Sequence, residues 1–335
     1  MKKLFFMLAL VAMSVLSFGQ DNQLVWANGR LLYGAPIESI DSLTYDEMED
    51  VDTLHLLLPR TLIKVVHDTV YIHDTVYVET DCGGEGDTPS AGIGVFSVFG
   101  KQVTFSKGNL QYHPANDEWR FAENQSDCIG NANSNIAADY DGWIDLFGWG
   151  TGNNPLTLSQ ENKDYQTFVD WGTNKIGNDA PNTWRTLTYD EWYSLLYTRT
   201  NANDLCGVAQ VNGVNGLILL PDNWTCPAGV TFKSGFHSEW GVDYYAAYQT
   251  FTAEQWSKLE SAGAVFLPAA GGRNGSGVHG VQNYGNYWSD TGWYENISSF
   301  DVFGAYCLTF GSGGADVNLD DRYSGLSVRL VKDLQ

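Results

Sequence analysis

The sequence predicts an α+β fold, with two short helices among many short antiparallel strands and a small β-rich module ahead of them. Three observations predict it. Short apolar runs are interrupted by Gly and Asn throughout, and 36 Gly against 9 Pro suit a chain of many turns and close backbone approaches. Two segments, Thr188-Tyr189-Asp190-Glu191 and Thr252-Ala253-Glu254-Gln255, carry the reciprocal helix-start signature. Aromatic residues make up 14% of the chain and charged residues only 17%, whereas disordered acidic chains are poor in aromatics. A length of 335 residues allows one large domain or two modest ones.

At the N-terminus, Met1-Lys2-Lys3 precedes an apolar run from Leu4 to Met13, and small residues follow at Ser17 and Gly19. That pattern predicts a signal peptide over 1–19, cleaved before Gln20, and hence a secreted or cell-envelope protein. The run is too short to span a bilayer, and no later stretch approaches ~18 uninterrupted apolar residues, so no membrane span is expected. No Cys stands at the cleavage point to suggest a lipid anchor.

Residues 20–60 read as the β-rich module. Asn28-Gly29 lies between apolar runs as a hairpin turn, and Ile37–Tyr45 alternates like a half-buried strand. Glu47, Glu49, Asp50 and Asp52 read as a solvated loop. Residues 61–92 read as an extended stalk and linker. Val66-His67-Asp68-Thr69-Val70-Tyr71 is repeated as Ile72-His73-Asp74-Thr75-Val76-Tyr77, and Gly-rich residues follow from Asp81 to Gly92. Neighbouring His and Asp point to opposite faces of an extended chain, so one strand cannot gather them round an ion. A spacer or oligomerising stalk is the expected role.

Residues 93–335 read as one domain. Its expected strands include Val95–Val98, Gln102–Phe105, Trp119–Phe121, Leu217–Leu220, Ala305–Phe310 and a closing Ser327–Val331. The helices are expected near 189–199, burying Trp192, Leu195 and Leu196, and near 253–261, burying Trp256 and Leu259.

Asp and Glu outnumber Lys and Arg 40 to 18, a formal charge of -22 that would repel phosphate backbones and excludes general nucleic-acid binding. The cysteines are Cys82, Cys128, Cys206, Cys226 and Cys307. They are too widely spaced for a zinc site, and their odd number leaves at least one unpaired. A Cys206–Cys226 clip is one expected pairing.

Several segments are similar to those of a known group. Trp184-Arg185-Thr186-Leu187-Thr188-Tyr189-Asp190-Glu191-Trp192 resembles the W-R-L-P-T-x-x-E-W helix start of the formylglycine-generating-enzyme (sulfatase-modifying factor) and C-type-lectin-like superfold. Asn215–Trp224 matches a following strand and turn. Phe266–Gly271, Gly285–Thr291 and Gly325–Asp333 resemble F-L-P-A-A-G, G-x-Y-W-S-S-T and the closing G-x-S-V-R-x-V. Together, in order over about 95–333, they resemble the bacterial "major paralogous domain" family of secreted and surface proteins. The resemblance implies a C-type-lectin-like domain. Oxidase members of the superfold use two close cysteines near the C-terminal end. Here Cys307 stands alone in an alternating segment, so formylglycine-generating activity is not expected and a core role is.

No histidine sits in a Gly-x-Ser-x-Gly or His-Glu-x-x-His setting, which removes triad and zincin readings. Asp316-Val317-Asn318-Leu319-Asp320 opens like a calcium loop, but Asp321 and Ser327 stand where an EF-hand needs Gly and Glu. A solvated acidic turn is the favoured reading there, and a weaker calcium site the alternative. Between Arg273 and Tyr323, Gly, Asn and Ser alternate with Tyr and Trp, the palette of binding loops. It also suits carbohydrate, with rings packing on sugar faces and amides taking hydroxyls. The expectation is a ligand-binding, adhesin- or lectin-like protein, not an enzyme, recognising glycan or surface protein. Its loops would present Tyr284, Asn286, Trp293, Tyr294 and Asp316. A secreted carbohydrate hydrolase with a carboxylate pair, or a structural pilus component, are the alternatives.

Overall fold

The computed structural model describes residues 94–237, 242–297 and 300–334, and five backbone strands within the first 66 residues. The signal segment, the His-Asp repeat and the Gly-rich linker lie outside the described residues. The chain divides into two compact units, Met1–Glu85 and Gly86–Gln335.

In the first unit, β1 (Asn22–Ala27) pairs antiparallel with β2 (Arg30–Pro36), with Ala27 opposite Arg30. The strands β3 (Ser42–Met48), β4 (Val51–Leu58) and β5 (Thr61–Val66) form an antiparallel meander. Glu47 and Asp52 face each other across β3 and β4, so this part of the expected acidic loop is strand. β5 occupies the first residues of the segment read as stalk.

Among its described residues the second unit mixes three short α-helices with small, mostly antiparallel sheets, an α+β arrangement. It begins with the hairpins β6 (Phe96–Val98)–β7 (Lys101–Phe105) and β8 (Leu110–His113)–β9 (Glu118–Phe121). Helix α1 (Tyr189–Tyr193) starts where its sequence predicts. Thr188 Oγ1 accepts the Glu191 N–H at 3.1 Å, and Glu191 Oε2 accepts the Thr188 N–H at 2.9 Å. The expected run to Arg199 is broken: Ser194–Thr198 forms a π-helical turn, closed by the Arg199 N–H on Ser194 O. The reason is Arg199 itself. Its buried Nε donates to Leu195 O, the carbonyl an α-helical Arg199 N–H would use, while its other nitrogens hold Leu220 O and Leu205 O.

The next sheet contains β10 (Cys206–Val211), β11 (Val214–Leu219), β12 (Thr250–Phe251) and β13 (Val265–Pro268), in the order β12-β10-β11-β13. Helix α2 (Val242–Tyr248), which the sequence reading missed, drives Tyr245 fully into the core. Helix α3 (Ala253–Ser261) opens with its expected capping box and buries Trp256 and Leu259 as predicted. The hairpin β14 (Gly272–Asn274)–β15 (Gly277–His279) leads into β16 (Tyr284–Ile297), β17 (Phe300–Gly311) and β18 (Gly314–Asp320). The last strand, β19 (Val331–Asp333), returns to pair with β7.

Three further expectations need correction. The stretch Arg273–Tyr323 is built largely of strands β14–β18 rather than projecting loops. Its Gly, Asn and aromatic residues suit a half-exposed sheet as well as a paratope. The closing strand is a ladder only from Val331, because Gly325, Leu326 and Ser327 each bridge a different neighbour, Arg273, Phe147 and Tyr287. Cys206 and Cys226 are both free, the first buried on β10 and the second exposed, so no clip joins them. Cys307 is buried as expected, and burial pushes its thiol up to about 12.

The segments that carried the resemblance pack against one another. Trp192 Nε1 donates to Trp288 O, the Trp288 N–H to Ser327 O, the Tyr189 N–H to Thr291 Oγ1 and the Arg185 N–H to Val331 O. Arg185 also holds both Glu191 and Asp333 at 2.6 Å. Trp192 and Trp288 are fully buried in adjoining apolar clusters, so the helix start, the Tyr287-Trp288-Ser289 strand and the chain end form one core.

Candidate functional site

The register of β16 on β17 and of β17 on β18 decides which side chains share a face. Asn286 stands opposite Thr309, and Thr309 opposite Asp316. Alternation then carries Tyr284, Asn286, Thr309, Asn318 and Asp320 to the same side of the sheet. Against that side sits the β14–β15 hairpin. A pocket of about 420 Å³ opens between them, lined by Arg273, His279, Tyr284, Asn286, Thr309, Asn318, Leu319, Asp320, Ser324 and Leu326.

Local chemistry fixes the walls. Gly280 adopts φ +69° between His279 and the strand, and a Cβ there would fall 2.2 Å from the Tyr284 ring, so only glycine lets the hairpin close over that tyrosine. The close approach brings His279 Nδ1 to 2.6 Å from Tyr284 Oη. Burial, and then Asp320, holds the Tyr284 phenol above its ordinary pKa, so it stays protonated and can donate to the imidazole. Asp320 is largely buried, which raises its carboxyl above the usual range, opposed by hydrogen bonds from Ser324 Oγ (2.8 Å) and the Asp321 N–H (2.7 Å) and by nearby His279. Arg273, fully buried, ties the hairpin to the C-terminal turn. Its backbone exchanges two hydrogen bonds with Gly325, and its guanidinium donates to Leu146 O and Gly275 O.

The result is a small concave surface with one ring pair, two amides, two aliphatic hydroxyls, a carboxyl and two leucines. Such a lining offers donors and acceptors for a ligand rich in hydroxyls and an apolar face for its carbon skeleton.

The structure thus brings together Tyr284 and Asn286 of the five expected contact residues. Trp293 and Tyr294 lie farther along β16, beyond a register break between Trp288 and Gly292, and do not line the pocket. Trp293 is half-buried and its carbonyl accepts Arg322 Nη2, whereas Tyr294 is exposed and donates its hydroxyl to Asp301 at 2.7 Å. Asp316, exposed on β18, accepts the hydroxyl of Tyr197 and its neighbour Val317 N–H. Asp316-Val317-Asn318-Leu319-Asp320 is extended strand, so its three polar side chains form a row instead of closing round a point as a calcium loop does. Among the described residues, no group of three or more His, Cys, Asp or Glu is placed to hold a metal ion.

Sequence reasoning missed His279, Thr309, Asn318, Asp320 and Ser324 as partners in one site. The spacing of His279 and Tyr284 was a local signal that two rings could meet across Gly280. The remaining members converge only through strand register.

Among the described residues, no helix is long and apolar enough to cross a membrane. Comparison with protein-family models, curated proteins and solved structures finds no match for this chain.

Proposed function

We propose that this is an exported, cell-surface glycan-binding protein whose second unit is a C-type-lectin-like domain, with the His279–Tyr284–Asp320 pocket as its binding site. The observation that carries the reading is the convergence of His279, Tyr284, Asn286, Thr309, Asn318, Asp320 and Ser324 around one 420 Å³ cavity. A sugar ring presents hydroxyls to amide and carboxyl groups and C–H faces to aromatic or apolar ones, and the lining supplies both kinds. The mutual packing of the motif-bearing segments supports the fold assignment, and the Met1–Gly19 pattern supports export. N-terminal sequencing of cell-envelope material tests export: a start at Gln20 is expected, and an intact Met1 contradicts it.

The binding reading is tested on a glycan array probed with the full chain and with Asn318→Ala, each with and without calcium. A hydroxyl-rich glycan retained by the parent and lost by the variant is the expected result. Retention of every signal by Asn318→Ala removes the pocket from recognition. Calcium-independent binding is expected from the strand geometry of Asp316–Asp320.

A further inference from the structure

A second surface runs along α1 to Tyr306 of β17 and the carboxylate of Asp316 on the edge strand β18, and none of its residues lines the pocket. Tyr189, Tyr193 and Tyr197 recur every four residues along α1 and its π-turn, while Trp192, Leu195 and Leu196 bury the opposite stripe. Tyr306 of β17 continues the series. Ring centroids are 4.5 Å apart for Tyr306 and Tyr189, 5.9 Å for Tyr189 and Tyr193, and 4.9 Å for Tyr193 and Tyr197. Tyr193 and Tyr197 remain 40% and 44% exposed, so the outer half of the stack is open to a partner.

Two carboxylates flank it. Asp190 is exposed in the first turn of α1, and Asp316, exposed on β18, accepts the Tyr197 hydroxyl at 3.0 Å. Nearby arginines are already committed: Arg185 to Glu191 and Asp333, and Arg199 to three carbonyls and Asp222. Burial and the adjoining Asp316 hold Tyr197 above its ordinary pKa, so its ring stays neutral and presents the electron-rich face of a phenol.

We infer that the Tyr189–Tyr193–Tyr197–Tyr306 stack, with Asp190 and Asp316, is a docking surface for a cationic protein segment presenting arginine or lysine. Guanidinium groups stack on aromatic faces, and flanking carboxylates take their N–H donors. A second copy of this chain is a poor occupant, because each carries a formal charge of -22 and would bring the same acidic groups into contact.

The test is titration of the full chain with a short oligoarginine peptide, with a matched oligoglutamate peptide and a neutral oligosaccharide as comparators. Tyr193→Ser and Tyr197→Leu are expected to weaken oligoarginine binding roughly tenfold. Tyr193→Phe, which keeps the ring, retains it, and so does Asp139→Asn, which removes an exposed charge elsewhere. Unchanged thermal unfolding of Tyr193→Ser separates lost contact from lost fold. Equal weakening by Asp139→Asn and the tyrosine variants would reduce the effect to net charge and overturn the inference. So would binding of the neutral oligosaccharide, but not the peptide, at the tyrosine stack. Neither outcome touches the pocket.

Discussion

Tyr284 Oη and His279 Nδ1 lie 2.6 Å apart across Gly280, and this contact joins the β14–β15 hairpin to the first residue of β16. It places a protonated phenol and an imidazole on one wall of the pocket, and it gives the proposed site its first discriminating variant.

Tyr284→Phe removes the hydroxyl while keeping the ring that closes against Gly280. Ligand affinity at the pocket is expected to fall several-fold, with a stability loss of about 1 kcal/mol, the net worth of one hydrogen bond. Trp293→Ala, beyond the register break, is expected to change pocket affinity less than twofold. Calorimetric titration of both variants checks the pair, and a larger loss in Trp293→Ala would move recognition to the outer part of the β16–β17 hairpin.

Glu191 has two roles that substitution can separate. Its carboxylate accepts the Thr188 N–H and also pairs with Arg185 at 2.6 Å while nearly wholly buried. Glu191→Ala loses cap and pair together and is expected to cost about 3–5 kcal/mol. Glu191→Gln keeps a side-chain oxygen for the cap and should cost measurably less. Denaturant unfolding of the two variants checks the order, and equal costs would show that the cap contributes nothing.

How far the sequence was legible follows from the range of the interaction that fixes each element. The two capping boxes, at Thr188 and Thr252, are complete within four residues, and both helix starts were readable. The pairing of the two strands that flank Asn28-Gly29 was readable for the same reason. The π-turn was not, because it depends on Arg199 reaching Leu205 O and Leu220 O, and neither contact shows in the local pattern. Within β16–β18, Ala305–Phe310 and Tyr287–Ser289 were readable as strand, whereas the outer part of β16 and the Asp316–Asp320 segment were read as loop, because their alternation of Gly, Asn and aromatics serves either use. The pocket was half legible: Tyr284 and Asn286 stood in the expected set, while His279, Asp320 and Ser324 joined it through pairing distant in sequence.

Asp145 gives a pH signature. It is fully buried on hydrogen bonds from the Ile129 N–H and Asn133 Nδ2, and burial raises its carboxyl from 3.8 to about 6. With the folded pKa above the unfolded one, the native state holds the proton more tightly. Its stabilising contribution is complete below about 4 and is lost as pH rises through about 6, a change on the order of 2–3 kcal/mol. Unfolding free energies of the parent minus those of Asp145→Asn should therefore fall between these limits. A difference that is flat or rises with pH contradicts the assignment.

The thiols should differ sharply in reactivity. Cys226 is exposed, whereas Cys206 and Cys307 are buried, with thiols pushed up to about 11 and about 12. A thiol reagent is expected to label Cys226 in the native protein and the two buried cysteines only on unfolding. Mass spectrometry locates the label. Labelling of Cys206 or Cys307 in the native protein would contradict their burial.

The central claim, that the cavity bounded by the β14–β15 hairpin and β16–β18 is the glycan-binding site, is tested most directly by calorimetric titration of the full chain with its best array glycan. The parent, His279→Ala and Asn318→Ala are compared. The account predicts saturable one-site binding by the parent and at least tenfold weaker binding by both variants, with thermal unfolding within a few degrees of the parent. Equal affinity in all three proteins would contradict it.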